Sequence, residues 1–79
     1  MIYIVNEDNA KGIVLQSWGT KYEKLKSKRH KLTLVINGNI EIWSIDDRDY
    51  NTLHAVYCDK INRLVEAINN GDKVFYMSF

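Results

Sequence analysis

A chain of 79 residues with a net charge of +1, 46% apolar residues, 27% charged residues and one cysteine has the balance of one small folded domain spanning residues 1–79. That balance excludes a disordered tail, a disulfide framework and an overall electrostatic pull toward nucleic acid or anionic lipid. At this length only about 60–65% of the unfolded surface is buried, so a large internal active-site cavity is hard to support.

Apolar runs of about four residues fall far short of the roughly 18 to 20 that a bilayer crossing needs. No basic segment leads into an apolar signal core, and a lone Cys58 suits a reducing compartment. A cytoplasmic location is therefore expected. Ile, Asn, Lys and Tyr make up 30 of the 79 residues and proline is absent. Those residues have A/T-rich codons, which suggests a bacteriophage or another mobile element as the source, with the cytoplasm then being that of the host cell.

Ile2-Tyr3-Ile4-Val5 reads as a strand of β-branched and aromatic residues. Asn6, Glu7, Asp8 and Asn9 follow as a cap-rich cluster. Residues 10–29 admit two readings. As a helix, they place Leu15, Trp18, Tyr22 and Leu25 on one stripe. As a hairpin, they turn at Asn9-Ala10-Lys11-Gly12 and send a second strand from Ile13 to Trp18 back along the first. Gly12 and Gly19 each cost a helix about 1 kcal/mol. The stripe nevertheless continues past Gly19 and residues 13–18 do not alternate, so the helix is the preferred reading.

Lys31 to Asn37 and Ile40 to Ile45 are strands joined by Asn37-Gly38, the preferred type I′ turn pair. Leu32, Leu34 and Ile36 fall on one face of the first strand, and Ile40, Ile42 and Ser44 on one face of the second. From Asp46 to Gly71 the chain reads as a long amphipathic helix with Leu53, Tyr57, Ile61, Leu64 and Ile68 at three- and four-residue steps. Asp46, Asp47 and Asp49 supply its N-terminal chemistry, and Asn70-Gly71 its left-handed end. Lys73 to Phe79 is a closing strand with Phe75, Met77 and Phe79 on one side and Val74 and Tyr76 on the other. The expected class is α+β. The order is β-α-β-β-α-β, the ferredoxin-like split βαβ with a four-stranded antiparallel sheet and both helices on one face. The alternative is ββββαβ, a sheet crossed by one long helix.

Little in this chain carries catalytic chemistry. His54 and Cys58, four residues apart on a helix, can reach one point but do not close a tetrahedral metal site, and no third group orients them as a nucleophile and base. The three aspartates are explained by capping. There is no Gly-rich phosphate loop, no C-x-x-C and no Ser-His-Asp pattern. An enzyme, a cofactor and a metal are not expected. The basic run is more informative: Lys21, Lys24, Lys28 and Lys31 form a ridge on a helix, beside Arg29 and the ring of Trp18, and such a ridge neutralises phosphates.

Ile2-Tyr3-Ile4-Val5-Asn6 resembles the first-strand motif of RNA-recognition-motif domains. The resemblance covers five residues and implies the same β-α-β-β-α-β fold, with Tyr3 and Trp43 side by side on an open sheet face where bases stack. The family's basic-Gly-aromatic third-strand motif is absent from residues 39–44.

Missing chemistry, a small core and a two-sided apolar terminal strand point to a small non-enzymatic binding protein acting through protein–protein contacts, an inhibitor or modulator of a host protein. Tyr3, Trp43, Tyr76 and Phe79 are its expected anchors, and a homodimer is a further arrangement open to it. The alternative is a single-stranded nucleic-acid-binding module using Trp18, Lys21, Lys24, Lys28, Arg29 and Lys31.

Overall fold

The computed structural model describes residues 2–6 and 11–77. Its elements are β1 (Tyr3–Asn6), β2 (Lys11–Val14), β3 (Trp18–Lys24), β4 (His30–Ile36), β5 (Ile40–Asp47), α1 (Tyr50–Asn69) and β6 (Val74–Met77). They form a small α+β fold with two three-stranded sheets and one helix. In the first sheet β1 lies between antiparallel β2 and parallel β6. The second is an antiparallel meander, β3-β4-β5.

The four-stranded ferredoxin-like layout is therefore not formed, and the one-helix alternative is closer. No α-helix forms over residues 11–29; the one helical turn there is a short 3-10 turn at Lys26–Lys28. Residues 11–14 pair antiparallel with β1, so a second strand does return along the first but spans 11–14 rather than 13–18, with Lys11 and Gly12 in the strand rather than the turn; residues 18–24 pair along their whole length with β4. A strand here bonds the backbone groups of alternate residues to β4, and the strands avoid the cost of Gly12 and Gly19 inside a helix.

α1 is built much as its sequence pattern suggests. Asp49 is the N-cap, accepting from the Asn51 N–H at 3.2 Å and the Thr52 hydroxyl at 2.6 Å. At the other end Gly71 sits at φ +75°, with Asp72 N–H bonded to the Ala67 carbonyl and Gly71 N–H to that of Ile68. That is a Schellman close, and it needs a residue without Cβ strain. Asp46 and Asp47 do not cap the helix: both lie in β5, where Asp46 pairs with Arg29 at 2.7 Å and Asp47 accepts from the Asp49 N–H at 2.9 Å.

The core lies where α1 crosses β4 and β5. Leu34, Ile36 and Leu64 are fully buried, with Leu53, Tyr57, Leu32 and Trp43 around them. Each such side chain contributes about 1.5–3 kcal/mol by leaving water. Ile4 and Met77 carry the first sheet into the same core. Two asparagines join the sheets. Asn6 Nδ2 donates to the Ile42 carbonyl at 2.9 Å, and Asn37 bonds the segment between β2 and β3.

Stability should fall in acid for a definable reason. The hydrogen bond from Arg29 holds the Asp46 carboxyl below its ordinary value, and the Thr52 hydroxyl does the same for Asp49. A carboxyl depressed in the folded state stabilises fully above its unfolded value of 3.8 and loses that contribution as pH falls through the lower folded value. Thermal melts are expected to stay level down to about pH 5 and then drop, with an Asp49→Asn variant showing a shallower drop. An unchanged acid slope in that variant removes Asp49 from the account.

Candidate functional site

The expected anchors do not end up together. Tyr3 and Tyr76 do share a surface. In the β1–β2 and β1–β6 registers Tyr3 lies opposite Val14 and Val74, and Val5 opposite Gly12 and Tyr76, so all six occupy the outer face of the first sheet. Tyr3 is 46%, Val74 40% and Tyr76 58% exposed, while Val5 and Val14 are half-buried. A Cβ on Gly12 would meet Val5 at 3.6 Å and Tyr3 at 4.0 Å, so the glycine lies beside these two side chains on that face. Ile4, Phe75 and Met77 occupy the opposite face, toward the core. Both faces of the terminal strand are thus apolar.

Trp43 is a correction. It is 5% exposed and stacks on Tyr57 of α1, with ring centroids 5.7 Å apart. The cause is a β-bulge. Leu34 pairs with Trp43 but Val35 pairs with Glu41, so Ile42 is the extra residue. The bulge shifts the alternation by one. Ile40, Trp43 and Ile45 face the helix opposite Ile36, Leu34 and Leu32, while Ser44 lies on the other face of the sheet with Thr33, which is itself buried. The expected side-by-side arrangement of Tyr3 and Trp43 is therefore not formed. Phe79 lies outside the described residues.

The lysine ridge is likewise not formed, because it presumed a helix. Lys21 lies in β3 and contacts Glu23 at 3.4 Å and Glu41 at 3.8 Å. Arg29 is tied to Asp46, and Lys31 lies in β4 between Glu23 and Asp46 in the sheet registers. Lys24, Lys26 and Lys28 stay exposed at the far end of β3 with no ion-pair partner among the described residues. Trp18 is exposed at the opposite end of the same strand.

The fold brings together a second group that the linear sequence does not reveal. His54 Nε2 lies 3.5 Å from the Cys58 sulfur, as their spacing suggests. Tyr50 stacks on His54 and packs edge-on against His30, and His30 Nδ1 is 2.7 Å from the Tyr22 hydroxyl. Beside this cluster a cavity of about 420 Å³ opens between β3 and α1, lined by Tyr22, Leu32, Tyr57, Cys58 and Ile61. Tyr57 crosses its floor to meet the Thr20 hydroxyl at 2.8 Å, and burial raises the Tyr57 phenol above its ordinary value. Among the described residues no group of three or more His, Cys, Asp or Glu could hold a metal ion. No helix among them is long and apolar enough to cross a membrane.

Comparison with protein-family models, with curated proteins and with solved structures finds no match for this chain.

Proposed function

We propose that this is a small non-enzymatic binding protein that engages a protein partner through the outer face of the β2-β1-β6 sheet. One observation carries the reading: Tyr3, Val74 and Tyr76 are exposed together on one apolar sheet face. Contiguous exposed aromatics are what protein interfaces use as anchors, because each tyrosine offers a large contact area at low entropic cost. The A/T-rich residue usage supports a bacteriophage or mobile-element source and, with it, a host protein as the target to be inhibited or modulated. The nucleic-acid alternative is weaker, since Lys21 and Arg29 are engaged by acids and Trp43 is buried.

The test is position-specific photo-crosslinking in an extract of the producing cell. A photoreactive side chain at position 76 is expected to capture a defined protein, and one at exposed Val56, on α1, is not. A Tyr3→Ser/Tyr76→Ser variant should lose that complex by tenfold or more. Equal capture at both positions, or steep salt-sensitive quenching of exposed Trp18 by single-stranded oligonucleotides, would count against the protein reading.

A further inference from the structure

We infer that the groove between β3 and α1 takes an extended peptide segment of another protein, held by strand addition to the free edge of β3, with acidic residues ahead of alternating apolar ones.

The backbone supplies the first argument. Ser17 bonds across to Asn37 and Leu25 to Arg29, and the β3–β4 register runs unbroken between them, so Gly19, Lys21 and Glu23 make the bonded pairs with β4. The N–H and C=O groups of Trp18, Thr20, Tyr22 and Lys24 therefore point to the other edge. No strand among the described residues pairs there. At seven residues β3 is long for an edge, and it carries none of the prolines or bulges that normally blunt one.

The second argument is the wall beside that edge. α1 runs antiparallel to β3. Tyr50 packs against Tyr22, Tyr57 bonds Thr20, and Ile68 shares a second cavity, of about 270 Å³, with Trp18 and Leu15. Two depressions, about 420 and 270 Å³, thus follow one another along the strand. Residues of an added strand that bond to the edge share the face of Thr20 and Tyr22, so their side chains enter these depressions and the intervening ones do not. Small Thr20 between Trp18 and Tyr22 leaves the room, and the lining of Leu32, Ile61 and Ile68 selects apolar groups.

Charge supplies the direction. Lys24, Lys26 and Lys28 are exposed at the C-terminal end of β3 without ion-pair partners among the described residues. An antiparallel peptide begins at that end, which places its acidic residues first. A second copy fits less well, because pairing two β3 strands along their full length sets Lys21 directly against its own equivalent.

Cys58, the chain's single cysteine, lines the groove and reports on it. The probe is a blocked peptide, Asp-Glu-Asp-Leu-Thr-Val-Thr-Phe, titrated by fluorescence anisotropy and by the rate of Cys58 labelling with a maleimide. The peptide is expected to bind and to slow labelling severalfold. N-methylation of Leu and Val, whose N–H groups meet the edge, should weaken binding by at least tenfold, while N-methylation of the intervening threonines leaves it within twofold. The Tyr3→Ser/Tyr76→Ser variant should bind as the parent does, which separates this site from the sheet face. No protection of Cys58 at about 1 mM peptide, equal sensitivity at both N-methyl sets, or a dimer in sedimentation that the peptide does not dissociate overturns the inference.

Discussion

Replacing Trp43 with alanine is expected to destabilise the domain by about 3–5 kcal/mol, a large share of the total stability of about 4–12 kcal/mol for a chain of this size. The indole is 5% exposed, stacks on Tyr57 at 5.7 Å with 22° between the ring planes, and has the Lys60 ammonium 5.8 Å from its centroid. Its neighbours Leu34 and Tyr57 are held by the sheet and the helix, so they cannot collapse into the space it leaves. Tyr76→Ser, by contrast, removes a ring from an exposed face and should stay within about 0.5 kcal/mol of the parent. Urea unfolding curves with matched slopes distinguish the two. If Trp43→Ala keeps its midpoint and Tyr76→Ser loses it, the placement of the two aromatics is inverted.

Asn37→Gly is expected to cost about 2 kcal/mol, although glycine suits the turn it occupies. Asn37 lies at φ +52° before Gly38 at φ +91°, the left-handed pair a tight hairpin requires. Its side chain has a second role. Nδ2 donates to the Val14 carbonyl at 2.8 Å, and Oδ1 accepts from the N–H of Gln16 at 2.8 Å and of Ser17 at 3.3 Å. These bonds pin the segment where the chain leaves the first sheet and enters the second. Glycine keeps the backbone conformation and deletes all three, so the loss measures the clamp alone. Asn37→Asp retains both acceptor bonds but not the donor, and its unfolding midpoint should fall between those of glycine and the parent. If glycine is neutral, the turn rather than the clamp is what Asn37 supplies.

Residues 18–24 and Trp43 show where local pattern loses to context. Residues 18–24 carry a helical stripe, and the hairpin that makes them a strand turns through Ser27 at φ +65° and Lys28 at φ +61°. Neither is a glycine or an asparagine, so the turn leaves no local signal. The same stripe put Lys21, Lys24, Lys28 and Lys31 on one ridge; in a strand, a turn and a second strand they separate. Unbroken alternation puts Trp43 on the face away from the helix, one residue out of phase, because a bulge at Ile42 cannot be seen in an alternating run.

What the amino-acid order determines by itself is whatever short-range chemistry decides: the Asn37-Gly38 hairpin, the buried row of Leu32, Leu34 and Ile36, the long helix with its Gly71 close, and the placing of Tyr76 and Met77 on opposite faces of the last strand. The pairing of β1 with β6, the burial of Trp43, the free edge of β3 and the groove beside it were decided only by the tertiary structure. Each depends on which distant strand completes a ladder and which face the helix covers, and those outcomes are set by the burial of the whole core rather than by any one stretch of chain.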